Sequence, residues 1–335
     1  MINRQLLETE SSISYVKECF TKHLSQKLNL TKVSSPIALL DGTGINDDLN
    51  GVEKPVTFRI KALGEMKAQV VHSLAKWKRI RLMQLGVEPG SGILTDMRAL
   101  RPDEDYTDIH SVYVDQWDWE QTIRDGERNL NKLNESVSCV YEAMKCTEQE
   151  VCSRYPSYSP VLPERITFIH SQQLLDLYPD LSPKSREREA ARRYGAIFIT
   201  GIGMDLSDGK PHDGRAPDYD DWSSVNDDGY IGLNGDIIVW HPVLKCSLEL
   251  SSMGIRVNMA SLIRQLSIKE CPEKASLQYH SMLLNGLLPQ SIGGGIGQSR
   301  LCMFMLKKKH IGEVQVGIWS DEIRNKLGNS GIELL

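Results

Sequence analysis

Between Tyr113 and Glu120 the chain reads YVDQWDWE, and a strand, which alternates its side chains between two faces, sorts these residues into two unlike sets. Val114, Gln116, Asp118 and Glu120 share one face, while Tyr113, Asp115, Trp117 and Trp119 share the other. Two tryptophans on one face require a packed layer of helices; an amide and two acids on the opposite face require water or a ligand. This segment therefore asks for a sheet with a helix-covered back and a polar front. Just upstream, RALRPDED (98–105) brings a cluster of arginines and acids through a short loop into the same strand, the layout of a site for a phosphate and a small zwitterion.

Further strands are expected at 56–63, 67–72, 91–97, 112–120, 166–170, 196–200, 235–244 and 246–257. Several of these follow one another without helices between them, which excludes regular βαβ alternation. The pattern predicts an α+β fold, a mainly antiparallel sheet with helices on one face. Residues 5–29 form a predicted helix with Ile13, Val16, Phe20 and Leu24 on one stripe. A second amphipathic helix carries Leu130, Leu133, Val137, Val140, Tyr141 and Met144. Ser182 and Pro183 open a charged helix that Gly195 closes, and a final helix is expected over 299–308. No repeat, low-complexity tract or linker divides the chain, so residues 1–335 are read as one domain, with acidic, turn-rich 205–230 a candidate mobile cover for a site.

At 335 residues the chain can bury about three quarters of its unfolded surface. Lys and Arg number 39 against 44 Asp and Glu, a net charge of −5, and no basic run exceeds Lys307–Lys309. That balance lacks the footprint of a nucleic-acid binder. With no apolar h-region at the start and no run of some 18 apolar residues, a soluble cytoplasmic protein with no membrane contact is expected. The seven cysteines are scattered and form no C-x-x-C pair, as expected of reduced, buried thiols, and the eight histidines show no zinc spacing.

Ser291 to Arg300, SIGGGIGQSR, places Gly293, Gly294, Gly295 and Gly297 where a backbone can approach a flat or anionic ligand. No Lys-Ser/Thr follows, so it is not a Walker A loop, and a dinucleotide-binding fingerprint fits poorly, since that should open an early βαβ unit and only 35 residues remain after Arg300. Arg300, in the first turn of the next helix, can pair with phosphate or stack on a base. In 236–257, Asp236 and Glu249 are carboxylates on predicted strands and candidate Mg²⁺ contacts beside a phosphate. Period two puts Ser251 with Glu249 and throws Arg256 to the opposite face. Only a bulge near 252–254 would return Arg256 to the same site.

The segments VHSLAKWKR (71–79), ALRPDED (99–105), HSVYVDQWDWE (110–120), APDYDDW (216–222), LNGDI (233–237), LELSSMGIRV (248–257) and GGGIGQSR (293–300) together resemble aspartate–ammonia ligase, the ammonia-dependent asparagine synthetase. That family in turn is similar to the catalytic domain of class II aminoacyl-tRNA synthetases, the aspartyl type above all. The resemblance spans nearly the whole chain. It implies a homodimer built on an antiparallel sheet flanked by helices, with Pro36 at the dimer-forming motif, and a reaction of aspartate, ammonia and ATP with Mg²⁺ that gives asparagine, AMP and pyrophosphate through β-aspartyl-AMP. It implies Arg101 on the α-phosphate, Arg300 on the γ-phosphate or over adenine, and Gly295, Asp236 and Glu249 along the nucleotide and its magnesium. Ser73, Lys78, Gln116, Asp118, Ser251, Ser252 and Arg256 fall to the amino acid.

Because amide synthesis activates the β-carboxylate, the substrate must sit turned relative to the synthetases, and Arg256 is expected to receive its α-carboxylate. Asp47 is the candidate to draw in ammonium and take its proton, with Asp118 the alternative. Residue 2 is Ile rather than the cysteine of glutamine-using synthetases, so glutamine should be a poor nitrogen donor. A tRNA-charging enzyme, a non-catalytic aspartate-binding relative and a nicotinamide oxidoreductase are the competing expectations.

Overall fold

A computed structural model describes residues 4–47 and 53–335. The chain begins with α1 (Arg4–Leu28), followed by the short strands β1 (Leu30–Lys32), β2 (Ala38–Leu40), β3 (Thr57–Ile60) and β4 (Met66–Val70). Next come α2 (Ala75–Leu85), the long strands β5 (Gly92–Leu100) and β6 (Tyr113–Thr122), and α3 (Leu130–Arg154). β7 (Thr167–His170), α4 (Ser171–Leu177), α5 (Pro183–Tyr194) and β8 (Ala196–Thr200) lead into the hairpin of β9 (Asn234–His241) and β10 (Cys246–Ile255). α6 (Met259–Ile268), α7 (Gln278–Leu284), β11 (Ser291–Gly297), α8 (Gln298–Met305) and α9 (Asp321–Asn329) complete the chain.

Eight strands form one sheet in the order β1-β5-β6-β11-β10-β9-β8-β7, and β2-β4-β3 make a second, small one. The six central strands are antiparallel; β1 joins β5 and β7 joins β8 in parallel at the two edges. The back of the large sheet is apolar. There Trp117 and Trp119 of β6 are buried with Phe20 and Leu24 of α1, Val137 and Tyr141 of α3, and Leu301 and Phe304 of α8. The Phe20 and Trp117 rings sit 4.5 Å apart, and burying such a side chain is worth about 1.5–3 kcal/mol. This is the helix layer that the two tryptophans required.

Helices also cover the front, so the expectation of helices on one face only is corrected. Leu174 of α4 and Ala190 and Ala191 of α5 pack on Ile197, Ile199 and Ile238, and α2 lies over β5, β6 and β11. Local caps behave as the sequence implied for α5: the Ser182 hydroxyl accepts from Ser185 N, Pro183 sits in the first turn, and Gly195 ends the helix at φ 76°. Asn129 caps α3 by accepting from Lys132 N. The helix expected over 299–308 runs 298–305 and is not the last, since Ser320 caps α9 beyond it.

In β10, Glu249 pairs with Ile238 while Ser251 pairs with Ile237, so one extra residue is inserted at Leu250. The expected bulge exists, but two residues before the stretch 252–254 where it was expected. Glu249, Ser252, Gly254 and Arg256 consequently share the front, while Leu248, Leu250, Met253 and Ile255 enter the back core.

Candidate active site

Register builds the site. Asp118 of β6 pairs with Gly295 of β11, Gly295 with Ser252 of β10, and Ser252 with Asp236 of β9, a single row across four strands. One step along, Glu120, Gly293, Gly254 and Asn234 form the next row. The glycines make room for side chains from neighbouring strands as well as for a ligand. A Cβ on Gly295 would come within 2.5 Å of the Gln116 amide oxygen, and one on Gly293 would overlap the Glu120 carboxylate and stand 2.6 Å from Arg256 Nη2.

Two cavities open on this front. The inner one, about 90 Å³, is lined by Asp47, Ser73, Lys78, Asp118, Tyr219, Asp220 and Arg256. The outer one, about 320 Å³, is lined by His110, Glu249, Gly297, Arg300 and Gln315 among others. Arg101, Gln116, Ser252 and Gly295 belong to both walls and mark their junction.

In the inner cavity Lys78 Nζ donates to Asp118 Oδ1 at 2.5 Å and to the Gly294 carbonyl at 2.9 Å. Burial lowers the Lys78 pKa despite the attraction of Asp118 and Glu120. Asp118 Oδ2 is buried with no hydrogen-bond partner, an acceptor suited to a ligand's ammonium. Arg256 Nε donates to Glu120 Oε1 at 2.9 Å, Nη2 to Oε2 at 2.7 Å, and Nη1 to Asp220. Burial opposes the charge on Arg256, but Glu120 and Asp220 more than offset it and raise its pKa. Ser73 Oγ accepts from Ala75 N at 3.1 Å at the entry to α2, and Asp47 is 4% exposed.

In the outer cavity Arg300 Nη1 donates to the Glu249 carbonyl at 3.1 Å and lies 3.8 Å from its carboxylate. Arg101 is half-buried and donates from Nη2 to the His72 carbonyl at 3.3 Å. Burial first, and then Arg300, push His110 down to about 4, so its ring is neutral at pH 7. A neutral flat ring and a guanidinium in one cavity suit a heteroaromatic base and its phosphates. Asp236 lies beneath Arg215, which donates to it and, at 3.2 Å, to Ser252. Burial and the nearby Glu249 raise the Asp236 carboxyl, with Arg215 opposing. Burial also works against ionised Glu249, but Arg300, Lys184 and Arg215 win and lower its pKa.

Of the residues expected here, Asp236 stands in the wall of neither cavity, and Ser251, though in the outer wall, turns its side chain to the back of the sheet. It pairs with Ile237 and Ile296 of the back core, and its hydroxyl has no hydrogen-bond partner. The extra residue at Leu250 is the physical cause. His110, Arg215, Tyr219 and Asp220 were not singled out from sequence, although His110, Tyr219 and Asp220 lie inside the segments that carry the resemblance. The expected mobile cover is tied down over 216–222. Asp218 pairs with Lys76 at 2.7 Å and His280 at 3.0 Å, Asp220 with Arg256, and Asp221 with Arg128; Trp222 is fully buried.

The family model described as aspartate-ammonia ligase matches residues 7–331. An aspartate–ammonia ligase of Parabacteroides distasonis is 53% identical over 330 residues, 98% of this chain and 96% of its own, and one of Clostridium perfringens is 51% identical over the same coverage. Among solved structures, the Pyrococcus horikoshii asparaginyl-tRNA synthetase complexed with asparaginyl-adenylate superposes with a TM-score of 0.67 at 15% identity, covering 92% of this chain and 68% of that one. An Entamoeba histolytica aspartyl-tRNA synthetase gives 0.63 at 13% identity over 95% and 58%. These two likenesses show that the fold is that of the class II synthetases. The match over nearly the full length and the identity above one half show that the chain belongs to the aspartate–ammonia ligase family.

Proposed function

We propose that this enzyme amidates L-aspartate with ammonia at the expense of ATP, through β-aspartyl-AMP, releasing L-asparagine, AMP and pyrophosphate. The observation that carries this route is the pair of cavities joined at Arg101, Gln116, Ser252 and Gly295. The inner one has the size and charged lining for an amino acid, and the outer one has the volume, the guanidinium and the neutral imidazole for a nucleotide. A carboxylate placed at the junction meets an α-phosphate without either leaving its pocket, which converts an encounter of two anions into a step within one site.

Aspartate fits the inner cavity with its ammonium on Asp118 Oδ2, its α-carboxylate on Arg256 and its β-carboxylate toward Arg101. Arg101 and Arg300 face the oxygens that gain negative charge as pyrophosphate departs, and such contacts act when they strengthen in the transition state. Mg²⁺ fits beside Glu249, with Asp236 behind it, because two mutually repelling carboxylates at the nucleotide cavity suit a hard cation shared with phosphates. Among the described residues no group of three or more His, Cys, Asp or Glu could hold a metal ion. When bound, the ion would screen phosphate charge. The same reading makes the protein a cytoplasmic homodimer that meets its partner through the segment at Pro36, next to Ile37, which is 68% exposed. Among the described residues no helix is long and apolar enough to cross a membrane.

Asparagine formation from aspartate, Mg-ATP and ammonium, with AMP and ADP both quantified, tests the route. One AMP per asparagine is expected, while ADP would replace the adenylate with an acyl phosphate. Asp47 borders the inner cavity and takes the role of drawing the nitrogen nucleophile toward the adenylate and accepting its proton. Asp47→Asn should lower asparagine formation by about 10²-fold or more, the range of general-base contributions. Aspartate-dependent ATP–pyrophosphate exchange should survive, and an unchanged dependence on ammonium would remove Asp47 from this role.

A further inference from the structure

A third cavity, of about 200 Å³, lies behind the inner one and is lined by Asp41, Thr43, Lys76, Asp218, Leu277 and His280 among others. The same three chain segments wall both cavities. Asn46 faces the third cavity and Asp47 the inner one; Lys76 faces the third and Ala75 the inner; Asp218 faces the third while Tyr219 and Asp220 face the inner. The two spaces are thus separated by a partition about one residue thick.

We infer that this cavity is the receiving site for ammonia, as ammonium or free base, from which the nitrogen passes to the inner cavity; the inference rests on the proposed ligase reaction. What the lining offers is acceptors. Lys76 Nζ and His280 Nε2 both engage Asp218 Oδ2, at 2.7 and 3.0 Å. Asp218 Oδ1 and His280 Nδ1 are left buried without a hydrogen-bond partner. In the neutral ring with Nε2 donating to the carboxylate, Nδ1 is a lone-pair acceptor, and both partnerless atoms then accept. A small molecule carrying three or four N–H donors satisfies them, whereas a phosphate or carboxylate would face oxygen and nitrogen lone pairs.

The lining charges balance, Asp41 and Asp218 against Lys76 and Lys274, so neither protonation state is repelled. Asp41 and Gly42 are exposed at the outer side, where ammonium enters from solvent, whereas Asp218 and His280 are buried at the inner end. The loop that forms the roof is closely fitted to α7. Gly44 has φ +69°, and a Cβ there would stand 2.9 Å from Leu277 Cβ and 3.0 Å from the His280 ring. Asn46 fastens the loop by donating to Gln69 Oε1 at 3.0 Å and accepting from His72 N at 2.9 Å. Asp47, the residue after Asn46, thereby stands on the inner-cavity side of the partition.

Two variants of the full-length enzyme test this. His280→Gln keeps an N–H donor for Asp218 and exchanges the ring Nδ1 lone pair for an amide oxygen at a different position; Leu277→Trp fills the cavity without touching the ion pair. In both, the KM for ammonium should rise at least tenfold. Aspartate-dependent ATP–pyrophosphate exchange, which needs no ammonia, and the KM values for aspartate and ATP should stay within about twofold. An unchanged ammonium KM in folded protein overturns the inference and makes the cavity a water site. Exchange that falls in step with ammonium use overturns it too, because the cavity then serves adenylation or the fold. If His280→Gln fails to fold, Leu277→Trp decides. If the unaltered enzyme shows no aspartate-dependent exchange, the adenylation reading itself fails, an outcome distinct from failure of the ammonia site.

Discussion

Replacing Arg101 with alanine is expected to cut aspartate-dependent ATP–pyrophosphate exchange by about 10²- to 10³-fold, the cost of removing one donor from a developing oxyanion. Arg101 lines both cavities at their junction. Among the described residues its side chain hydrogen-bonds to one backbone carbonyl, His72 O, at 3.3 Å, so the fold has little stake in the guanidinium. The far-ultraviolet spectrum and melting temperature should therefore hold while kcat falls. Lysine at the same position keeps a charge but loses the fork, and should recover only part of the rate. A loss smaller than tenfold in the alanine variant would take Arg101 off the reacting phosphate.

The second large effect is on stability. Arg256→Leu leaves Glu120 and Asp220 buried and facing each other without their shared cation. Breaking a buried pair by removing one partner costs about 3–5 kcal/mol, measurable as a lower denaturant midpoint. The pH dependence has a definite sign. Burial raises the Glu120 carboxyl, but Arg256 and Lys78 outweigh it and lower the folded-state pKa. Its stabilising contribution is therefore complete above the unfolded carboxyl pKa, about 4.3, and is lost as pH falls through the lower folded value. The variant loses that favourable term, and its bare carboxylates are relieved by protonation. The difference between the two proteins should shrink as pH drops from 7 toward 4. A difference that stays constant over this range would mean that the loss comes from packing rather than charge.

Much of this architecture is legible in the sequence where period and cap chemistry speak locally. The alternation in β6 separates its buried tryptophans from Gln116, Asp118 and Glu120, and Ser182, Pro183 and Gly195 bracket α5. Other elements are hidden for physical reasons. α2 turns Lys76, Lys78 and Arg79 inward, so no apolar stripe marks it. β1 and β2 are three residues each, too short to show a period. The acids of 205–230 resemble a solvated loop because their partners are remote: Lys76 is 142 positions from Asp218, and Arg256 is 36 from Asp220. The roles of Arg101, Arg300 and Arg256 were suggested by resemblance, since nothing local distinguishes an arginine that meets a phosphate from one that meets Glu120.

The extra residue at Leu250 also divides the site into two separately adjustable halves. Glu249, on its N-terminal side, lines the outer cavity only, whereas on its C-terminal side Arg256 lines the inner cavity only and Ser252 stands at the junction of the two. A strand with unbroken alternation would lock these groups together, and any slip in register would move both. Here a re-aligned C-terminal segment can present a different side chain to the amino acid while Glu249 keeps its place beside Arg300. Redesign of amino-acid specificity therefore belongs after residue 251. A one-residue deletion at the bulge would be more damaging than any single replacement near it, because it would send one of the two halves to the wrong side of the sheet.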